Sequence, residues 1–145
     1  MSEARKTVIK NLLEADVTFM TLATGGIYTA VEVSRQLTPD AFDGTTNEIL
    51  PCCLIKAETT TPAGVYTHAG RLFIALIFYQ RERTGHATID AMRERAYALL
   101  QDQCIDGLGA WSILWADDSA DLEDPATMWS MLYARYDLVI DRTPA

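Results

Sequence analysis

The sequence predicts an α+β fold, a mainly antiparallel sheet covered on one face by helices. Three observations carry that expectation. An amphipathic helical pattern opens the chain and another lies in its middle, and each is followed by segments of strand length. The run Leu72 to Tyr79 is apolar at every position, as a strand covered on both sides must be. The closing stretch, Trp129 to Asp141, sets Leu132, Ala134, Tyr136, Leu138 and Ile140 in alternation with Met131, Tyr133, Arg135, Asp137 and Val139, which marks an antiparallel strand with one buried face.

Taken in order, Val8, Ile9, Leu12, Leu13, Phe19, Met20 and Ala23 recur at helical spacing from Glu3 to about Ala23. Asp16 interrupts the pattern, where its short carboxylate is suited to cap a second, short helix. Gly25-Gly26 then supplies the left-handed conformation that commonly ends a helix. A short strand is expected at Ile27–Val31, followed by a long polar loop at about 32–48. Leu50–Ala57 reads as the next strand, with Pro51 at its start, where a missing N–H does least harm. A second loop is expected at about 59–69, then the apolar strand Arg71–Arg81. The segment His86 to Asp102 places Ile89, Met92, Ala96, Leu99 and Leu100 on one helical face. Gly107 and Gly109 stop it, Ala110–Ala116 begins a strand, and an acidic loop over 117–124 leads into the last strand.

The chain has 145 residues with 12 Lys+Arg against 20 Asp+Glu, a net charge of −8, so a single domain over 1–145 is expected and no cationic surface is available to collect DNA phosphates. At 49% hydrophobic residues it can bury a core. The charged N-terminus does not resemble a secretory signal, and the apolar run at Leu72–Tyr79 is far too short to cross a membrane as a helix, so a soluble protein is expected with no membrane partner. Three cysteines, Cys52, Cys53 and Cys104, fit neither a zinc pattern nor a disulfide framework, and a reducing compartment is the simplest setting.

The sequence holds no GxGxxG after a strand, no phosphate-binding loop and no HExxH, and no cofactor or metal is expected. His68 and His86 suit a solvated or capping role better than that of a general base. Cys52 and Cys53 point to opposite faces of their strand, so at most one reaches a site, and small apolar packing is the plainer reading. Asp117, Asp118, Asp121, Glu123 and Asp124 lack the register of a calcium loop, and a solvated acidic hairpin is expected, one able to face a channel and discourage DNA from adhering. Trp111, Trp115 and Trp129 suit either the core or a subunit contact.

The ordered set of segments resembles the tail-completion, or tail-terminator-like, proteins of long-tailed bacteriophages and prophages. The opening helix Ile9–Asp16 with Leu22 and Gly25-Gly26-Ile27-Tyr28, the proline-led strand Leu50–Ile55, the strand Leu72–Tyr79, the helix through Ile89, Met92 and Leu99-Leu100, and the terminal strand carry the likeness, which spans most of the chain. The length of Thr38–Asn47 and the acidic 117–124 segment are departures from it. The resemblance implies a non-enzymatic structural protein of the virion tail, assembled in the host cytoplasm. It forms a homo-oligomeric ring, typically hexameric, at the head-proximal end of the tail. It stops growth of the tail tube and joins tail to head, with tail-tube and head-connector proteins as partners and DNA passing through without specific binding. Candidate subunit or partner contacts are Thr38, Pro39, Asp40 and Phe42 in the first loop, Thr60, Val65 and Tyr66 in the second, and Trp129. Two other classes stay open: a ligand-binding or enzymatic domain using Cys52 or Cys53 with a histidine, and a bacterial protein-interaction adaptor.

Overall fold

A computed structural model describes residues 2–62, 69–101 and 110–141. The elements run α1 (Ser2–Glu14), α2 (Val17–Leu22), β1 (Ile27–Tyr28), β2 (Cys52–Pro62), β3 (Ala69–Gln80), α3 (Ala87–Leu100), β4 (Ala110–Asp118), β5 (Leu122–Glu123) and β6 (Ser130–Asp141), with a 3-10 turn at Pro39–Ala41. The sheet order is β1-β2-β3-β6-β4, with β5 also paired to β6. Among the described residues only the β1–β2 pair is parallel, and the other pairs are antiparallel. This is the expected α+β fold, and the three helices lie on one face of the sheet.

Alternation along the strands builds the main core. Leu72, Ile74, Leu76 and Phe78 of β3 and Leu132, Ala134, Tyr136, Leu138 and Ile140 of β6 are buried against Ile9, Leu13 and Phe19 of the first two helices and Ile89, Met92, Ala96 and Leu100 of α3. Each such aliphatic or aromatic side chain contributes about 1.5–3 kcal/mol by leaving water. The periodicity read from the sequence and the buried set agree at every one of these positions.

Asp16 performs the expected capping. Its carboxylate accepts from the Phe19 N–H at 2.8 Å. It also accepts from Arg95 of α3 through Nε at 2.9 Å and Nη2 at 2.8 Å, so one side chain starts α2 and ties it to α3. Gly26 has φ of +92°, and a Cβ on Gly25 would meet the Leu50 and Pro51 carbonyl oxygens at 3.0 Å, so the glycine pair both ends the helical segment and lets β2 approach closely. At the other end, the buried Gln80 accepts from the Ile89 N–H at 3.2 Å and donates to Thr84 Oγ1 at 2.8 Å, joining the end of β3 to the start of α3.

Several boundaries differ from expectation for identifiable reasons. The strand at Ile27–Val31 stops at Tyr28, because only Ile27 and Tyr28 find partners, on Cys53 and Leu54. The described ends of the 59–69 loop are strand: β2 continues to Pro62 beyond a bulge after Ala57, pairing Thr60 with Leu72 and Thr61 with Arg71, and β3 begins at Ala69. The 32–48 loop is a folded segment. The Thr38 hydroxyl accepts from the Ser34 N–H at 3.1 Å and donates to the Ser34 carbonyl at 3.0 Å, and Asp43 Oδ1 accepts from the Thr45 N–H at 2.7 Å. Val33, Ala41, Phe42 and Ile49 then bury a second, smaller core against Cys52 and Leu54 on the sheet face away from the helices. The acidic 117–124 segment is not a free loop either, since Asp117 and Asp118 end β4 and Glu123 pairs with Ser130.

Two outcomes test this packing. Leu76→Ala removes a fully buried side chain from the centre of the sheet and costs about 2–5 kcal/mol in denaturant unfolding. Asp16 is held at about 2, chiefly by the hydrogen bonds from Arg95 and secondarily by the Phe19 N–H. A depressed carboxylate stabilises the fold above its unfolded pKa of about 3.9 and loses that contribution as pH falls through the folded value. Asp16→Asn keeps an oxygen for the cap and removes the charge. Its deficit in Tm is therefore full near about pH 6 and shrinks steadily toward about pH 2; a deficit independent of pH contradicts the assignment.

Candidate functional site

The sheet face opposite the helices is covered over only part of its area. The 29–49 segment lies over the end formed by Cys52, Leu54, Ile77 and Tyr79, where Trp129 packs against Phe42 at 5.7 Å and edge-on against Tyr79 at 5.6 Å between ring centroids. Beyond it the face is open. Pairing registers place Lys56, Ala75, Arg135 and Asp117 in one row across β2, β3, β6 and β4. Phe73, Asp137 and Leu114 form the next row, and Thr61, Arg71, Val139 and Ser112 the one after.

Charges on this face are paired across strands and laid over aromatic rings. Arg135 donates through Nε to Asp117 Oδ1 at 2.7 Å and through Nη2 to the other carboxylate oxygen, while its Cζ sits 5.5 Å from the centre of the Tyr133 ring. Arg71 donates through Nε to Asp137 Oδ2 at 2.9 Å with its Cζ 5.5 Å from the Phe73 ring centre. The Arg135 guanidinium beside Asp117 holds that carboxyl below the usual carboxylate range, and Asp117 in turn raises the Arg135 pKa. Two adjacent depressions of about 300 and 350 Å³ share Glu58 and Arg135; the larger has a floor of Ala75, Ile77 and Tyr133. This arrangement offers apolar area and fixed charge, which suits contact with another polypeptide.

The residues singled out in the sequence scatter over this surface. Thr38, at 2% exposure, and Phe42 are buried within their own chain and are not available to a partner, which corrects the expectation for both. Pro39 and Asp40 are exposed beside them, and Trp129 is half-buried between Phe42 and Tyr79. Thr60 is exposed on β2, whereas Val65, Tyr66 and His68 lie outside the described residues, as do Cys104, Gly107 and Gly109. The acidic set divides. Asp117 faces Arg135 on the open face. Asp118 accepts from the Trp115 indole N–H at 2.9 Å and lies 3.8 Å from Arg93 on the helix side. Asp124 Oδ1 accepts from the Ala126 and Thr127 N–H groups at 2.9 and 3.2 Å, shaping a turn, and Asp121 and Glu123 are exposed. The Arg71–Asp137 and Arg135–Asp117 pairs were not anticipated, although Arg135 and Asp137 stand two apart on the polar side of the β6 alternation.

Cys52 and Cys53 do point to opposite faces, into the smaller and the larger core respectively. Burial pushes the Cys52 thiol up to about 12 and Cys53 well above its ordinary value, so neither is a ready thiolate near neutral pH. His86 stands at the N-cap position of α3 without a side-chain cap bond; its Nε2 shares a hydrogen bond of 2.8 Å with the Leu122 carbonyl and anchors β5 instead. Among the described residues no three His, Cys, Asp or Glu side chains are grouped to hold a metal, and no helix is long and apolar enough to cross a membrane.

Comparison with known proteins adds a likeness of fold. No family model and no curated protein sequence matches the chain. A solved structure does: a chain of the virion of a native gene transfer agent particle superposes with a TM-score of 0.71, covering 97% of this chain and 96% of that one at 14% sequence identity. The two chains share one fold over nearly their whole lengths.

Thiol accessibility checks the cysteine placement. In a Cys104→Ser background, Cys52 and Cys53 are expected to resist an aromatic disulfide reagent in the folded protein and to react in denaturant. Rapid labelling of either under native conditions contradicts the buried assignment.

Proposed function

We propose that this chain is a structural subunit of a phage-derived virion, of the tail-completion or tail-terminator type. It assembles as a homo-oligomeric, hexameric ring at the head-proximal end of the tail, caps the tail tube, and meets the head connector on its other side. Its place is the virion tail, after assembly in the cytoplasm of a bacterial host. The fold likeness to a gene transfer agent virion chain over 97% of the length is the observation that carries this reading.

The surface chemistry supports it. A net charge of −8 and exposed Asp40, Asp121 and Glu123 repel a phosphate backbone, which suits a wall along which DNA slides without adhering. The open sheet face offers apolar area flanked by fixed charges, the composition of a protein contact. Heterologous contacts between identical subunits close into a ring when the rotation between neighbours divides a full turn. The alternative built on a Cys52 or Cys53 nucleophile loses its chemistry with both thiols buried and their pKa values raised.

A particle-producing strain lacking this chain tests the reading. Tails of irregular, extended length unattached to heads are expected, with both defects reversed when the chain is supplied in trans. Tails of uniform length joined to heads in its absence contradict the proposal.

A further inference from the structure

The chain carries a shallow depression with a partly buried apolar floor and, elsewhere, exposed apolar side chains that it cannot bring to that floor. The floor adjoins the covered end of the outer sheet face, where Ala75, 7% exposed, Ile77, which also packs on the smaller core, and the half-buried Tyr133 line a depression of about 350 Å³ edged by Lys56. The exposed side chains are Val31 and Leu37, 79% and 55% exposed, in the first part of the 29–49 segment. Val33 and Thr38 are buried between and beside them and pin the segment over the other end of the same face, so Val31 and Leu37 do not fold back onto the floor of their own subunit. The charges match as well. Among the described residues neither Lys56 on the floor's edge nor Glu32, next to Val31, has an ion-pair partner.

We infer that a second copy of this chain occupies the open face, seating Val31 and Leu37 of its loop against Ala75, Ile77 and Tyr133 with its Glu32 on Lys56. An exposed apolar patch that complements a pocket elsewhere on the same molecule makes a heterologous contact, which repeats from subunit to subunit and forms a closed ring when the geometry allows. The contact also lies where local charge is balanced. On the open face Lys56, Arg71 and Arg135 stand among Glu58, Asp117 and Asp137, so two chains of net charge −8 meet there with little net repulsion. This inference rests on the ring reading above and specifies which surfaces of the ring subunit meet.

Sedimentation equilibrium of the purified chain, with circular dichroism to verify folding, tests it by charge exchange. Lys56→Glu and Glu32→Lys alone are each expected to weaken self-association at least about tenfold, and the double exchange to restore it to within about threefold of wild type. Val31→Ser with Leu37→Ser changes only exposed side chains and is expected to weaken association comparably without altering thermal stability. Oligomers indifferent to all these changes, or single defects that the double exchange does not repair, overturn the inference and leave the ring reading standing. A wild-type chain that stays monomeric at every concentration overturns both.

Discussion

The central strand β3 is apolar on both of its faces, and the rest of the molecule is arranged to cover it. Period-two alternation sends Leu72, Ile74, Leu76 and Phe78 to one side, where three helices close over them. It sends Phe73, Ala75, Ile77 and Tyr79 to the other, where no α-helix lies among the described residues. The 29–49 segment answers part of that need by folding Val33, Ala41, Phe42 and Ile49 over one end. The remaining area is left with arginines lying over rings and ion pairs bridging strands. The inferred contact between subunits follows from this asymmetry between a covered face and a partly covered one.

Polar groups hold the covering layers in place. Asp16 joins the start of α2 to α3 through Arg95, Gln80 joins β3 to the start of α3, and His86 ties α3 to β5. The Asp16 and His86 contacts bridge segments distant in the chain and the Gln80 contact joins neighbouring elements, so α2 is tied to α3 and the start of α3 to the sheet, in addition to their packing.

Much of this was legible in the sequence because it depends on local periodicity. The β6 alternation, the two helical faces, the Asp16 cap and the opposed cysteines all arise within a few residues of one another, and each appears where the pattern placed it. What depended on distant partners was not legible. Phe42 looked like part of an exposed loop because nothing local announces that Cys52 and Leu54 will receive it. Asp117 looked solvated because its partner, Arg135, is a strand away, and the reach of β2 to Pro62 depends on pairing with β3 past a bulge. Composition placed polar Thr59–Thr61 in a loop, and cross-strand pairing overrode that weak preference.

The proposed ring rests on two observations, a sheet face that the chain covers only in part and a fold shared with a virion chain. Negative-stain imaging of the purified chain measures this most directly. Closed rings of one diameter with a central hole are the predicted result. A field of particles no larger than a single 16.1 kDa chain, or open filaments without closure, would contradict it.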